Sequence, residues 1–201
     1  MWNHTLAKAV LAACFAWSSW NWMAERPVQP ADGEIAPAEP QQVEVEPQGP
    51  VQLGRWRLTP RAGYEITARI LGHEHYRFDE LADLIPDDLA LGWGPMSDNR
   101  ILKSIDISQS NRFYFWQTSG ATPIEAEDIT THSANTHVIP GNAAVARQLS
   151  GLRVGQVVTL SGELVDGKRN DGRWLKTSLV RNDTGAGACE VMLVRDVMLV
   201  K

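Results

Sequence analysis

The chain has 201 residues, two cysteines and a formal net charge of −5, which allow one domain of ordinary size with additional segments. The charge is uneven: residues 25–50 carry six acidic side chains and one basic one, whereas residues 51–201 carry 18 acidic and 17 basic ones. A nearly neutral body lacks the basic excess of a general nucleic-acid-binding protein, and two cysteines exclude a disulfide framework.

An apolar and aromatic stretch occupies residues 6–24, with Lys8 as its one charged side chain. Its uninterrupted part, residues 9–24, is shorter than the roughly 20 residues that span a bilayer core but longer than the apolar region of many signal peptides. We expect residues 1–24 to form a hydrophobic helix that is a signal-anchor or a signal peptide, with a lipoprotein signal ending at Cys14 as a further alternative. With Lys8 on the cytoplasmic side, the rest of the chain would lie outside the inner membrane.

Residues 25–50 hold six of the eleven prolines together with the acidic excess, and no hydrophobic period runs through them. This composition predicts an extended, disordered linker. The sequence therefore predicts a single-pass protein of the bacterial inner membrane, attached through residues 6–24, whose globular domain, residues 51–201, lies in the periplasm.

Apolar and polar residues alternate over residues 64–71, 101–107 and 112–116, which predicts three short strands. In the last of these strands we expect Phe113 and Phe115 to face the core and Tyr114 and Trp116 to face the other way. A short helix should follow at residues 142–149, because Asn142 is a favourable N-cap and Val145 and Leu149 share one helical face.

The end of the chain predicts three strands, at residues 156–165, 173–181 and 189–200. Gly162 interrupts the apolar face of the first strand, and such a glycine commonly marks a bulge or bend that lets a sheet curl. An Asp-Gly pair precedes the second strand and predicts a hairpin. The alternation of the third strand breaks at Arg195, where a bulge would restore it.

These patterns predict a mainly β, β-rich α+β fold, a small OB-like barrel or a sandwich with one or two short helices, preceded by the hydrophobic N-terminal helix. The run VGQVVTLSGELV resembles the glycine-marked strand of bacterial OB-fold barrels. The combination of GWGPMSD, HSANTHVIP and KTSLVRNDTGAGACE resembles a group of uncharacterised bacterial proteins with an N-terminal membrane segment, over most of residues 60–195. That resemblance implies an envelope protein and supplies no catalytic residues.

Two pairs of histidines could carry chemistry: His73 with His75 after a strand, and His132 with His137 within one predicted loop. Four imidazoles converging on one ion would form a transition-metal site for zinc or copper. The alternative is that each pair is solvated or bonded to the backbone, since no HExxH motif places them on one helical face.

Cys189 is the other candidate, as a thiol nucleophile with His132 or His137 as base, or as a small buried hydrophobe in strand phase. Three tryptophans, Trp93, Trp116 and Trp174, would form a partner-binding surface if they share an exposed face, whereas core packing is the simpler role for each.

No complete catalytic constellation and no phosphate-binding glycine loop occurs in the sequence. We therefore expect a non-enzymatic, membrane-tethered extracytoplasmic module that needs no cofactor and binds an envelope protein or a cell-wall component. The alternative is a metal-dependent or thiol-dependent hydrolase that uses the four histidines or Cys189. Nucleic acid is not an expected partner, because acidic residues interrupt the basic ones around Trp174.

Overall fold

A computed structural model describes residues 4–24, 26–46, 49–180 and 189–200. Its secondary structure is mainly β, as the alternating patterns predict. The helices are α1 His4–Ala24, α2 Asn99–Leu102, α3 Ala126–Thr131 and α4 Ala143–Ser150, with a 3-10 helix at Gly94–Ser97. The strands are β1 Gln41–Val43, β2 Val51–Leu53, β3 Trp56–His75, β4 Asp87–Gly92, β5 Ile105–Ser110, β6 Phe113–Thr118, β7 Ser133–Pro140, β8 Val157–Arg169, β9 Trp174–Leu175 and β10 Glu190–Val200.

Five strands pair in a closed cycle. Strand β3 pairs with β4, β4 with β7, β10 with β8, and β8 with β3, all antiparallel, whereas β7 and β10 are parallel. The alternating residues of β3 and β8 point one set of side chains into the cycle, where they form the largest hydrophobic cluster. Helix α4 contributes Val145 and Leu149 to the same cluster. We call these five strands the five-strand cycle.

An irregularity in the pairing of β8 with β10 lies where the sequence predicts it. The register between β8 and β10 shifts between Val194 and Asp196, so that Arg195 is the extra residue of a bulge opposite Gly162. A Cβ atom at Gly162 would lie 2.1 Å from the carbonyl oxygen of Leu193, so the two backbones approach each other closely there. The predictions of a bulge at Arg195 and of a special backbone position at Gly162 are confirmed.

Asn142 caps α4 as predicted, since its side-chain oxygen accepts hydrogen bonds from the backbone N–H groups of Ala144 and Val145. The predicted strand at residues 173–181 is mostly irregular: only Trp174–Leu175 pairs with β8, and residue 181 lies outside the described residues. The predicted strand at residues 101–107 begins later, at Ile105, because α2 occupies its first positions.

The β5–β6 hairpin packs on the outside of the five-strand cycle with the opposite face from the one we predict. Tyr114 and Trp116 pack in a cluster with Ile105 and Ile129, while Phe113 and Phe115 are exposed. The Tyr114 hydroxyl donates to the Ser133 hydroxyl, which gives its polar end a partner within this interface. The prediction that Phe113 and Phe115 face the core is wrong.

The segment from residue 26 to residue 46 lies along the body, which differs from the disordered linker that its composition predicts. Val28 N–H donates to the Val154 carbonyl at 2.8 Å, and the Ala36 carbonyl accepts from Gly94 N–H at 2.8 Å. Strand β1 pairs with β3, and Ala36 is fully buried. These backbone hydrogen bonds hold an extended segment against the body in spite of its low hydrophobicity.

Helix α1 extends over most of the stretch that the sequence predicts as a hydrophobic helix. No helix within the described ranges combines the length and the hydropathy needed to cross a membrane.

Candidate functional site

Two consecutive aspartates begin β4, and they bind three of the four histidines of the body. Asp87 and Asp88 are 2% and 0% exposed. Successive residues of a strand point to opposite faces, so the two carboxylates face different surroundings. A buried carboxylate is costly unless it is paired and hydrogen-bonded, and each of these aspartates has its own histidine partners.

Asp87 binds the first histidine pair. Its Oδ1 lies 2.8 Å from His73 Nε2 and 2.9 Å from His75 Nδ1. The other ring nitrogen of His73 lies 3.1 Å from the Leu152 carbonyl oxygen. Both partners of the His73 ring are acceptors, so the ring satisfies them by carrying both protons as an imidazolium.

The electrostatics of this cluster follow from its burial and its pairing. Burial favours neutral His73, but the hydrogen bonds and the charge of Asp87 outweigh burial and raise the pKa of His73 above its ordinary value. Burial would raise the pKa of Asp87, yet hydrogen bonds from His73 and His75 hold the pKa of this carboxyl below its usual range. Both shifts favour the ionised form of the pair.

An open cleft of about 680 Å³ lies beside this cluster. His75, 43% exposed, lines the cleft together with Arg77 and Arg153. The cleft lies between the end of β3 and the segment that joins α4 to β8. It is open, and polar and apolar atoms line it in similar measure, so it does not enclose a ligand as a deep apolar pocket would.

Asp88 binds a different set of residues on the outer face of β4. Its Oδ1 lies 2.8 Å from His137 Nδ1 and 3.1 Å from Arg112 Nη1. Arg112 comes from the two-residue turn between β5 and β6, where Asn111 and Arg112 have φ values of 51° and 69°. A turn with two left-handed residues is common in hairpins, but arginine rarely occupies it. The backbone thus adopts an uncommon conformation at the point where Arg112 meets Asp88.

Cys189 completes this outer cluster, because β10 lies beside β7. His137 is bonded to Asp88, and its ring also lies close enough to Cys189 for the two side chains to interact. Asn135 Nδ2 lies 3.8 Å from the Cys189 sulfur. Burial would lower the pKa of His137, but the bonds with Asp88 and Cys189 raise that pKa to about 9. We call Asp88, His137, Asn135 and Cys189 the thiol cluster.

The four histidines predicted to hold a metal are divided over three places. His73 and His75 bind Asp87, His137 binds Asp88, and His132 lies 3.4 Å from Glu39 and 2.9 Å from the Asp128 carbonyl. Asp87 and Asp88 separate the first two groups, since they project from opposite faces of one strand. Among residues 4–24, 26–46, 49–180 and 189–200, no group of three or more His, Cys, Asp or Glu side chains is placed to hold a metal ion.

The three tryptophans of the expected partner surface do not share a face. Trp93 is 1% exposed in the core, where its Nε1–H donates to Glu39 at 3.0 Å. Trp116, a residue of β6, packs in the cluster that contains Ile105 and Ile129. Trp174 is 70% exposed, and it alone of the three is available to a partner.

Trp174 stands in a row with two exposed cations. Lys168 of β8 pairs with Trp174 of β9 on one side and with Arg57 of β3 on the other. Residues at paired positions of neighbouring strands share one face of the sheet, so the three side chains lie side by side. Lys176 is exposed two residues after Trp174. We call Arg57, Lys168, Trp174 and Lys176 the Trp174 surface.

Its cations differ from their neighbours, because no acidic partner for them lies among the residues that the structure describes. Arg61 pairs with Asp166, Arg169 with Asp171, and Arg173 with Glu80. In the part of the chain that the structure describes, no ion pair involves Arg57, Lys168 or Lys176. The Trp174 surface therefore combines an exposed aromatic ring with a local positive charge.

The sequence identifies the histidines, Cys189 and Trp174 as candidates. It does not identify the side chains that contact the histidines and Cys189. Asp87 and Asp88 carried a signal, since two adjacent acids precede the apolar run Leu-Ala-Leu-Gly. Asn135 and Arg112 carried no such signal, because their partners are far away in the chain.

Comparison with protein-family models, with curated proteins and with solved structures finds no match. What the clusters do must therefore be argued from their own geometry.

Proposed function

We propose that the chain is a non-enzymatic, membrane-tethered extracytoplasmic module, built on an OB-type barrel, that binds an acidic glycan of the cell envelope through the Trp174 surface. The row of Trp174, Lys168 and Arg57 is the observation that carries this proposal. An exposed aromatic ring, beside cations that have no acidic partner among the described residues, matches a negatively charged polymer whose sugar rings present apolar faces.

The strand order supports the barrel part of the proposal. OB folds are five-stranded Greek-key barrels, and the five-strand cycle has five members, one parallel pair and a helix between β7 and β8 that adds to the core. OB folds bind oligonucleotides and oligosaccharides through particular loops, including the one between the fourth and fifth strands. The equivalent connection here joins β8 to β10 and contains Trp174.

A glycan is favoured over a nucleic acid by the rest of the chain. Both ligands stack on an exposed tryptophan, and both carry negative charge when the glycan contains uronic acids. The nearly balanced charge of residues 51–201 does not provide the broad positive field that nucleic-acid binders use. An extracytoplasmic location would also bring the surface to envelope glycans rather than to nucleic acid.

We expect polygalacturonate to bind the full-length chain in detergent micelles, as measured by isothermal titration calorimetry. The Trp174→Ala variant should bind about tenfold more weakly or worse, since truncating a tryptophan at the centre of a binding surface commonly costs about 2 kcal/mol or more. The Lys168→Gln variant should bind a few times more weakly and show a reduced dependence on salt, because it removes one screened ionic contact.

Phe115→Ala is the matched control, since Phe115 is 50% exposed on the β5–β6 hairpin and lies outside the Trp174 surface. This variant should bind polygalacturonate with unchanged affinity. Neutral dextran, which lacks the negative charge, should show no measurable binding to the parent chain. Tighter binding of oligothymidylate than of polygalacturonate would overturn the choice of a glycan. Equal affinity of the Trp174→Ala variant and the parent would overturn the assignment of the surface.

The tether rests on the first helix. Val10, Leu11, Phe15 and Trp17 of α1 are 55–76% exposed, so the body does not cover these apolar side chains. Lys8 is the one charged residue before residue 25, and a cation at this end favours a cytoplasmic N-terminus. Because Val28 already contacts Val154, only a few residues separate the end of α1 from the body. The body would therefore lie close to the membrane.

When produced in a bacterial host, the full-length chain should sediment with the inner membrane and remain there after an alkaline wash, whereas a variant lacking residues 1–25 should be soluble. Protease added to spheroplasts should cleave the body of the full-length chain. Release by the alkaline wash would contradict insertion of α1, and full protection from the protease would contradict the extracytoplasmic location.

A further inference from the structure

We propose that Cys189 is an activated thiol that exchanges with small-molecule disulfides, with His137 as its proton donor and Asp88 and Asn135 as positioning residues. This inference concerns the outer face of β4, β7 and β10 and is independent of the Trp174 surface and of the tether. It follows from how three strands bring four side chains together.

One amide donor and one imidazole ring lie beside the Cys189 sulfur. Asn135 Nδ2 approaches the sulfur at 3.8 Å, and the amide is held by two other contacts: Oδ1 accepts from Gln109 at 2.8 Å, and Nδ2 donates to the Arg112 carbonyl at 3.2 Å. The imidazole ring is that of His137, which interacts with the sulfur. A thiol beside an amide donor and an imidazole ring is placed to react as the thiolate, which is the nucleophilic form.

Asp88 fixes the orientation of the His137 ring. A carboxylate only accepts hydrogen bonds, so the nitrogen at 2.8 Å from Asp88, Nδ1, carries a proton. The remaining nitrogen, Nε2, is then available to the thiol. This order of nucleophile, imidazole and carboxylate is the arrangement that activates nucleophiles in enzymes of several folds. With its pKa raised to about 9, His137 also carries the second proton at neutral pH.

A second observation points to an incomplete site. Asp88 is fully buried, and its other oxygen, Oδ2, has no hydrogen-bond partner among the described residues. Buried carboxylate oxygens normally have donors, so an unpaired one marks a place where a small polar molecule would be stabilised. This oxygen belongs to the carboxylate that orients His137.

Access limits the size of the reactant. Cys189 is half-buried, and the side chains of His137 and Arg112, which both bind Asp88, are 14% and 12% exposed. A small disulfide reaches a thiol of this kind more readily than a folded protein does. Cys14, the other cysteine of the chain, lies in α1, and both cysteines are free thiols. The expected product is therefore a mixed disulfide on Cys189.

The exchange balances without any further reactant. The Cys189 thiolate attacks one sulfur of the disulfide, a new S–S bond forms, and the original S–S bond breaks. The departing thiolate takes the proton that the His137 imidazolium releases. Cys189 is oxidised to the mixed disulfide, and one half of the small disulfide is reduced to a thiol.

The test uses the full-length Cys14→Ser variant, in which Cys189 is the one remaining thiol, and bis(2-hydroxyethyl) disulfide as the probe. Intact-mass spectrometry follows the formation of the adduct at pH 5–9. We expect the rate at pH 6.5 to exceed that of a cysteine-containing peptide by about tenfold or more, since the rate of the peptide falls about tenfold for each pH unit below about 8. Adding His137→Gln should slow the reaction at pH 6.5 by about tenfold or more.

Asp79→Asn serves as the matched control, since it removes a carboxylate that binds Arg112 but does not touch the thiol cluster, and it should leave the rate unchanged. The pH profile of the Cys14→Ser chain needs no change in the cluster, so it decides the question even if the His137 variant does not fold. A profile like that of the peptide, no adduct at any pH, or an unchanged rate in a folded His137→Gln variant would each overturn the proposal.

Discussion

Replacing Gly162 by alanine is expected to lower the free energy of unfolding by about 3 kcal/mol. A Cβ atom at this position would lie 2.1 Å from the Leu193 carbonyl oxygen and 3.2 Å from the Arg195 nitrogen. Both are backbone atoms of the β10 bulge, so no side chain can rotate away to make room. The added methyl group would push β10 away from β8 and weaken one junction of the five-strand cycle.

Thermal unfolding followed by circular dichroism checks this expectation, with a decrease in Tm of roughly 6–12 °C for a domain of this size. Gly49→Ala is the matched control, because no atom of the described residues beyond its chain neighbours lies within 4 Å of a Cβ built there. The control should melt within about 2 °C of the parent chain. A Gly162→Ala variant that melts with the parent would show that β8 and β10 do not approach each other as closely as described.

Gly162 illustrates which parts of the fold the sequence predicts. A glycine within an alternating strand and a break in alternation at Arg195 have local causes, so both can be identified without knowing what pairs with them. The Asn142 cap of α4 is local in the same sense, since its partners are the next two or three residues. Each of these predictions is confirmed at the expected residue.

Other features depend on contacts that are distant in the chain. Alternation correctly separates Phe113 and Phe115 from Tyr114 and Trp116, but which face is buried is decided by the cluster around Ile129, which follows the hairpin. Residues 26–46 look disordered by composition, yet they are ordered by backbone hydrogen bonds to the body, and composition does not report such bonds.

The thiol cluster is predictable only in part for the same reason. Cys189 and His137 could be proposed as partners from their chemistry alone. Their contact depends on the parallel pairing of β7 with β10, which places Val191 opposite His137. Asp88 joins them because β4 pairs with β7 so that Asp88 lies opposite His137. Two strand registers therefore assemble a cluster from segments that the sequence shows separately.

Replacing Asp88 by asparagine is expected to lower the free energy of unfolding by about 3–5 kcal/mol at pH 6.5, the usual cost of breaking a buried ion pair. Asparagine keeps the size of the side chain but removes the negative charge that both Arg112 and His137 face. These cations are 12% and 14% exposed, so water does not compensate either of them well. Chemical denaturation at pH 6.5 measures the loss directly.

Asp79→Asn is again the suitable control, because Asp79 also pairs with Arg112, at 2.8 Å, but is 37% exposed. An exposed pair contributes about 1 kcal/mol or less, so this variant should lose much less stability than Asp88→Asn. Equal losses in the two variants would show that the buried position of Asp88 has no special importance.

The cost of Asp88→Asn should also depend on pH in a defined direction. Folding raises the pKa of His137 to about 9, from about 6.5 in an unfolded chain, so the folded state holds this proton more tightly. The resulting stabilisation is complete below about pH 6.5 and is lost as the pH rises to about 9. This stabilisation is at most on the order of 3 kcal/mol.

The parent chain should therefore lose stability between pH 6.5 and pH 9, and the Asp88→Asn variant should lose much less. The difference in stability between the two chains should shrink as the pH increases. A difference that stays constant from pH 6.5 to pH 9 would mean that Asp88 does not hold His137 in its charged form.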